Sequence, residues 1–300
     1  MGTSRTGRAV LVTALLTAAC GTVPATPAVR TPAPSSAASP SPTATPSPTA
    51  STTLDVVGLG DSVTSGEHCD CDDYVTGFGH LLARRTGVKI HVTDDGESGS
   101  TSDGLADELS GTGTDDRDLQ SDVAGADVVV ITMGANDLAP ALSAWRSGSC
   151  TASCYDPEVA QMRSDLGRLL DRVGTLADGH AGVPRAPASG TDPGGEGGRP
   201  PHVRVLVTTY WNVFTDGDVA RKAERPGYLA WSDAVTRQAN VAITRVADAH
   251  AATLVDLYAP FKGAGGADPT ALLADDGDHP DAAGTALISR TVLAAYESGS

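Results

Sequence analysis

Five short runs of Val, Ile, Leu and Thr recur after residue 53, at Asp55–Leu59, Val88–Thr93, Asp127–Met133, Val203–Thr209 and Thr253–Leu257. Several are close to continuously apolar, which is the pattern of a strand covered on both faces. Between them lie stretches with apolar residues near helical spacing. Tyr74–Arg85 runs into Gly87, a good C-terminal stop. Pro157–Leu176 carries Val159, Met162, Leu166, Leu169, Leu170, Val173 and Leu176. Tyr228–Ala252 and Ala283–Tyr296 continue similarly. A helix between two strands carries the chain back to the edge it started from, so the strands must pair in parallel through right-handed crossovers. The expected class is α/β: a three-layer α/β/α sandwich around a five-stranded parallel sheet. From Leu54 to the end, about 250 residues suit one such domain.

The chain ahead of this pattern reads differently. Arg5 and Arg8 precede an uncharged apolar run from Ala9 to Ala19, too short to cross a bilayer. Residues 1–20 are expected to be a signal peptide. Cys20 follows Leu16-Thr17-Ala18-Ala19, which resembles a bacterial lipobox with Thr17 at a place where Leu is usual. Cys20 is thus a lipidation candidate, and plain secretion is the alternative. Residues 21–53 are nearly all Thr, Pro, Ala, Ser, Val and Gly and lack the apolar bulk to offset ordering entropy. They are expected to form a disordered, polyproline-like spacer. The resulting layout is an extracellular domain at 54–300, tethered to the membrane through Cys20 or released. Within that domain, 177–202 (which ends on "SGTDPGGEGGRPPH") breaks the pattern and is expected to be a flexible Gly/Pro-rich insertion.

Asp and Glu number 37 against 21 Lys and Arg, a formal charge of −16. This sign opposes nucleic-acid binding and attraction to anionic membrane surfaces. No nucleic-acid partner is expected, and a soluble monomer is. Four cysteines remain beyond Cys20: Cys69, Cys71, Cys150 and Cys154. An even number in an exported chain points to disulfides, with three possible pairings, local or crossed. A four-cysteine zinc site is the metal alternative.

Open parallel sheets gather their chemistry outside the carboxyl ends of the strands. After the first strand comes Gly60-Asp61-Ser62, after the third Gly134-Ala135-Asn136-Asp137, and after the fifth Asp276-Gly277-Asp278-His279-Pro280. Each alone has an ordinary reading: a polar turn, a helix N-cap, an Asx turn. Together they supply a hydroxyl, a base and a carboxylate, which is the inventory for nucleophilic acyl transfer. Trp145, Tyr210 and Trp211 follow strands three and four, either as packed rings or as a wall facing substrate.

Four blocks carry a resemblance. "VVGLGDSVTSG" places Ser62 as nucleophile, and "DDGESGSTSDGL" surrounds a glycine, best Gly99, with Gly96 as a shifted alternative. "ITMGANDLAP" contains G-x-N-D with Asn136, and "ADDGDHPDAAG" contains D-x-x-H-P with Asp276 and His279. Asp275 is a neighbouring carboxylate, and the D-x-x-H spacing favours Asp276. The blocks span the whole globular part and resemble the SGNH, or GDSL-type, hydrolases. The resemblance implies a flavodoxin-like strand order and ester hydrolysis without metal or organic cofactor. Ser62, His279 and Asp276 would be catalytic, with the Ser62 and Gly99 N–H groups and the Asn136 side chain as oxyanion donors. The implied substrate is a small-molecule, lipid or acylated-sugar ester. Acyl transfer, carbohydrate deacetylation and a non-catalytic surface-binding role are the alternatives. The cysteine pairs would then lie on the rim of the cleft.

Overall fold

The computed structural model describes residues 53–150, 153–179, 203–263 and 265–299. The expected leader with Cys20, the spacer up to residue 52, and residues 180–202 of the expected insertion lie outside them. Two boundaries move. Thr53, assigned to the spacer, opens the first strand, and residues 177–179, assigned to the insertion, close a long helix. Among the described residues, no helix is long and apolar enough to cross a membrane.

The elements follow in the order β1 (Thr53–Gly60), α1 (Tyr74–Thr86), β2 (Lys89–Gly96), α2 (Ser102–Glu108), α3 (Thr114–Gly125) and β3 (Val128–Thr132). Then come α4 (Ala139–Ser147), α5 (Asp156–Gly179), β4 (Arg204–Thr208), α6 (Gly217–Ala223), α7 (Tyr228–Ala249), β5 (Thr253–Val255), α8 (Tyr258–Lys262) and α9 (Ala282–Ser298). All neighbouring strands are parallel, in the order β2-β1-β3-β4-β5. This is the expected three-layer α/β/α sandwich with flavodoxin-like order.

Burial explains the strand patterns. The central strand β3 is covered on both faces, so Val128, Val129, Val130 and Ile131 can all be apolar. The edge strand β2 alternates exposed and half-buried residues. Helices α1 and α9 pack together against the sheet, while α2, α3, α5 and α7 form a second, separate group. Right-handed crossovers require this division. The chain leaves β1 for β2 in one direction and later crosses back over β1 to β3, so the connecting helices lie on opposite faces. The loops after β1 and β3 therefore diverge and open a crevice at the carboxyl edge.

Local chemistry fixes the ends of the two helices that flank this edge. Asp73 Oδ1 accepts from Thr76 N at 2.7 Å at the start of α1, and Gly87 ends it with φ 72°. Asp281 Oδ1 accepts from Ala283 N and Gly284 N, both at 2.8 Å, at the start of α9. Asp281 follows His279 by two residues, so the cap that starts α9 also anchors the loop carrying the histidine.

Candidate active site

Ser62 sits on the turn directly after β1. The turn is held through its neighbour Asp61, whose N–H donates to Thr132 O on β3 at 3.1 Å. The Asp61 carbonyl accepts from Thr64 N and Ser65 N at 3.0 and 3.1 Å. Its carboxylate accepts from Val63 N at 3.0 Å and from the Tyr210 hydroxyl at 2.5 Å. Asp61 is 1% exposed. Burial pushes its carboxyl from an ordinary 3.8 up to about 6, although the Tyr210 and Val63 hydrogen bonds pull the other way. The same pair drives the Tyr210 hydroxyl well above its usual value, through burial first and the Asp61 charge second.

His279 Nε2 lies 2.7 Å from Ser62 Oγ, and His279 Nδ1 lies 2.5 Å from Asp276 Oδ2. The carboxylate is fixed in turn, since Asp276 Oδ1 accepts from Asp278 N at 3.0 Å and His279 N at 3.2 Å. Partial burial pushes Asp276 up, but hydrogen bonds from the imidazole and these amides outweigh it and leave its carboxyl below the usual range. With a carboxylate at Nδ1, the neutral ring carries its proton there and presents Nε2 as an acceptor to Ser62 Oγ–H. Ser62, His279 and Asp276 are thus brought together from opposite ends of the chain. Asp275, the neighbouring candidate, is exposed.

The loop after β2 meets the loop after β3 beside Ser62. Asn136 Nδ2 donates to Ser100 O at 2.9 Å, and Asp137 Oδ2 accepts from Ser102 N at 3.0 Å and Ser102 Oγ at 3.2 Å. Asp137 thus holds the start of α2 from across the site, while Asn136 lies in a short 3-10 turn, Asn136–Leu138. One amide hydrogen of Asn136 is committed to Ser100, which leaves the second. Gly99 has φ 83° and open space where a Cβ would be, and it lines a cavity of about 190 Å³ together with Ser62, Asn136 and His279. Gly96 does not line that cavity, and a Cβ there would stand 2.4 Å from Ser65 N. Of the two candidate glycines, only Gly99 faces the cavity.

Several neighbours escaped sequence reasoning. His68 stacks on His279 with ring centroids 5.0 Å apart, its Nε2 3.7 Å from Asp276 Oδ2. Glu67 Oε2 stands 3.9 Å from His279 Nε2 and accepts from Ser98 Oγ. Asp278 lines the cavity, and its carboxyl is pushed up to about 6 mainly by burial. Tyr210 and Trp211 also line the cavity, whereas Trp145 does not. Trp145 stacks on Trp231 at 4.7 Å and packs under the Arg225 guanidinium, so it is a packing residue. A larger hollow of about 370 Å³ between α1 and α9 contains none of Ser62, His279 or Asp276.

The cysteines form two close local pairs. Cys69 meets Cys71 with Cα atoms 5.1 Å apart, and Cys150 meets Cys154 with Cα atoms 5.2 Å apart. Among the described residues, neither crossed pairing nor a four-cysteine cluster occurs. No described cysteine lines the cavity: Cys69 follows His68, which stacks on His279, and nothing places Cys150 and Cys154 at the rim where they were expected. Among the described residues, one group of three brings possible metal-ligand atoms within 4.8 Å of one another: His68, Asp276 and His279. Two of these already hold each other.

Comparison with known proteins agrees with this geometry. The GDSL-like lipase/acylhydrolase family matches residues 59–287. No curated protein matches the chain. Among solved structures, the lipase Lip_vut3 from a goat rumen metagenome is similar at 17% identity and a TM-score of 0.60, covering 81% of this chain and 97% of its own. A lipase/acylhydrolase from Enterococcus faecalis is similar at 19% identity and a TM-score of 0.51, with 82% and 96% covered. A catalytic mutant of an acetylxylan esterase from Geobacillus stearothermophilus is similar at 18% identity and a TM-score of 0.51, with 81% and 93% covered. These likenesses are of fold. The match over most of the globular part, with its Gly-Asp-Ser turn and Asp-x-x-His loop at one sheet edge, shows that the chain belongs to the GDSL-like lipase/acylhydrolase family.

Proposed function

We propose that this protein is a serine ester hydrolase whose catalytic residues are Ser62, His279 and Asp276. The observation that carries the reading is the hydrogen-bonded chain from Ser62 Oγ through both ring nitrogens of His279 to Asp276. Ser62 Oγ attacks the ester carbonyl carbon while its proton passes to His279 Nε2. Asp276 holds the ring in the required tautomer and stabilises the imidazolium. The carbonyl oxygen becomes an oxyanion facing the Ser62 and Gly99 N–H groups and the remaining amide hydrogen of Asn136, each worth roughly 3 kcal/mol in the transition state. Collapse breaks the bond to the leaving alcohol, which takes the proton from Nε2. Water then repeats the sequence on the acyl-enzyme and releases the acid. No step requires a metal or an organic cofactor.

The cavity favours a short acyl group. It holds about 190 Å³, and Asp61, Glu67, Asn136, Asn212 and Asp278 are among its lining residues. A long aliphatic chain would have to desolvate these polar groups without pairing them. The likeness to an acetylxylan esterase supports the same direction, toward acetyl or similarly short esters. The N-terminal pattern supports export with lipidation at Cys20, and the close cysteine pairs support oxidation to disulfides in that setting. Labelling with a fluorophosphonate probe and turnover of p-nitrophenyl acetate test the assignment. Both are expected in the wild type and both are expected to vanish in Ser62→Ala. Full activity in that variant would overturn it.

A further inference from the structure

The segment after β4, Tyr210-Trp211-Asn212-Val213, is pinned at every position but one. Asn240 clamps the Tyr210 backbone, accepting from its N–H at 2.9 Å and donating to its carbonyl at 2.7 Å. The Tyr210 hydroxyl is held by Asp61 at 2.5 Å. Trp211 stacks on Phe261 with centroids 4.3 Å apart, and Val213 N donates to Thr236 Oγ1 at 3.2 Å. Between these anchors, Asn212 is 3% exposed and lines the same cavity as Ser62, Asn136 and His279. Among the described residues, its side-chain Oδ1 and Nδ2 both lack a hydrogen-bond partner from the protein.

A buried amide with neither its acceptor nor its donors paired is costly. In a rigid cavity wall, pairing by a ligand is a physical reason for keeping such a group. The oxyanion is assigned to other donors, and an oxyanion could satisfy only Nδ2. Oδ1 needs a donor as well. Among the groups a substrate can bring, the smallest that both donates and accepts is a hydroxyl.

We infer that Asn212 is a specificity-determining residue that reads a hydroxyl group close to the scissile ester. The inference rests on the ester-hydrolase reading and names its substrate class: esters carrying a free hydroxyl next to the reacting carbonyl, on either the alcohol or the acyl side. Discrimination of this kind is strong, because a substrate lacking the hydroxyl leaves the amide unmet in the closed complex.

Two substrate pairs test it. 2-Hydroxyethyl acetate against propyl acetate places the hydroxyl on the alcohol, and ethyl glycolate against ethyl propionate places it on the acyl group. The quantity read is the ratio of kcat/KM within each pair, divided by the same ratio for hydroxide-catalysed hydrolysis. In the wild type one pair is expected to favour its hydroxylated member by at least about tenfold, which assigns the side. In Asn212→Leu that preference is expected to fall about 10–100-fold. The variant should also melt no lower than the wild type, since it removes unmet polar groups, whereas a structural amide would lower the melting temperature. No hydroxyl preference in the wild type, or an unchanged preference in Asn212→Leu, overturns the inference and leaves the hydrolase reading standing. Silence of the wild type toward all four esters and toward the fluorophosphonate probe overturns both.

Discussion

Replacing Asp61 by Asn isolates the free energy stored in a carboxylate buried under the nucleophile. Asp61 is 1% exposed, and its carboxyl titrates at about 6 rather than 3.8. At about 1.36 kcal/mol per pH unit, that gap withholds about 3 kcal/mol from the folded anion. The folded value lies above the unfolded one, so the folded state is free of this penalty below pH 3.8 and loses stability as pH rises through 6. About half of the penalty has developed by pH 5, and essentially all of it by pH 8. Between those two values the wild type therefore loses about 1–2 kcal/mol through Asp61 alone. Asparagine does not titrate and loses none of it. Rearranged hydrogen bonding at Tyr210 shifts the variant by an amount that does not depend on pH, and this drops out of the difference. The other raised carboxyls, Asp94, Asp95 and Asp278, are common to both proteins. Urea unfolding at pH 5 and pH 8, at one ionic strength, gives the four free energies needed. Asp61→Asn should gain about 1–2 kcal/mol on the wild type between the two pH values. Parallel pH dependence in the two proteins would show that Asp61 is not held as a strained anion.

Two further substitutions probe the site. Asp276→Asn places a donor where Nδ1–H needs an acceptor and favours the wrong ring tautomer. It is expected to lower kcat on p-nitrophenyl acetate by about ten-thousand-fold, and a loss below tenfold would sink the orienting role of Asp276. Gly99→Ala and Gly96→Ala should separate strain from collision. At Gly99, φ 83° and open space predict a loss of about 1–2 kcal/mol. At Gly96 the new Cβ would stand 2.4 Å from Ser65 N and 2.8 Å from the Thr64 backbone, so the nucleophile turn must shift. The Gly96 variant should melt well below the Gly99 variant, and equal melting temperatures would contradict the packing at Gly96.

What could be read from the sequence, and what could not, divides along the range of the interactions involved. Strands β1, β3 and β4 and helices α1, α5 and α9 follow from local apolar patterns and end within three residues of expectation. The long helix α7 starts as expected but stops at Ala249, because His250 caps it and Ala251 turns to φ 54°. Strand β2 runs on through Asp94, Asp95 and Gly96, a polar stretch that becomes strand only by pairing with Gly58, Leu59 and Gly60. Helix α3 buries only Val123 and Ala124, so no apolar stripe announces it. The start of α2 is tied to Asp137, 35 residues further on. The same division holds at the site. Ser62, Asp276 and His279 stand in short motifs, whereas Tyr210 reaches Asp61 across 149 residues. "YWNVF" reads as aromatic packing, and nothing local marks Asn212 as unmet. Three cysteine pairings fitted the spacing, and only the fold selects the local one.

The separation of Ser62 from His279 has a consequence for how the molecule comes to life. The proposed nucleophile stands at the end of the first strand, and its proposed base arrives 217 residues later. Contacts of such long range close late, after the entropy of the intervening loop has been overcome. A chain that has assembled β1, β3 and β4 but not yet docked α9 holds a serine with no base beside it. During synthesis such a chain is chemically silent, and silence ends only when the last helix seats against α1. Recovery of ester hydrolysis on refolding should accordingly lag recovery of helical signal. Activity thus reports the last event of folding.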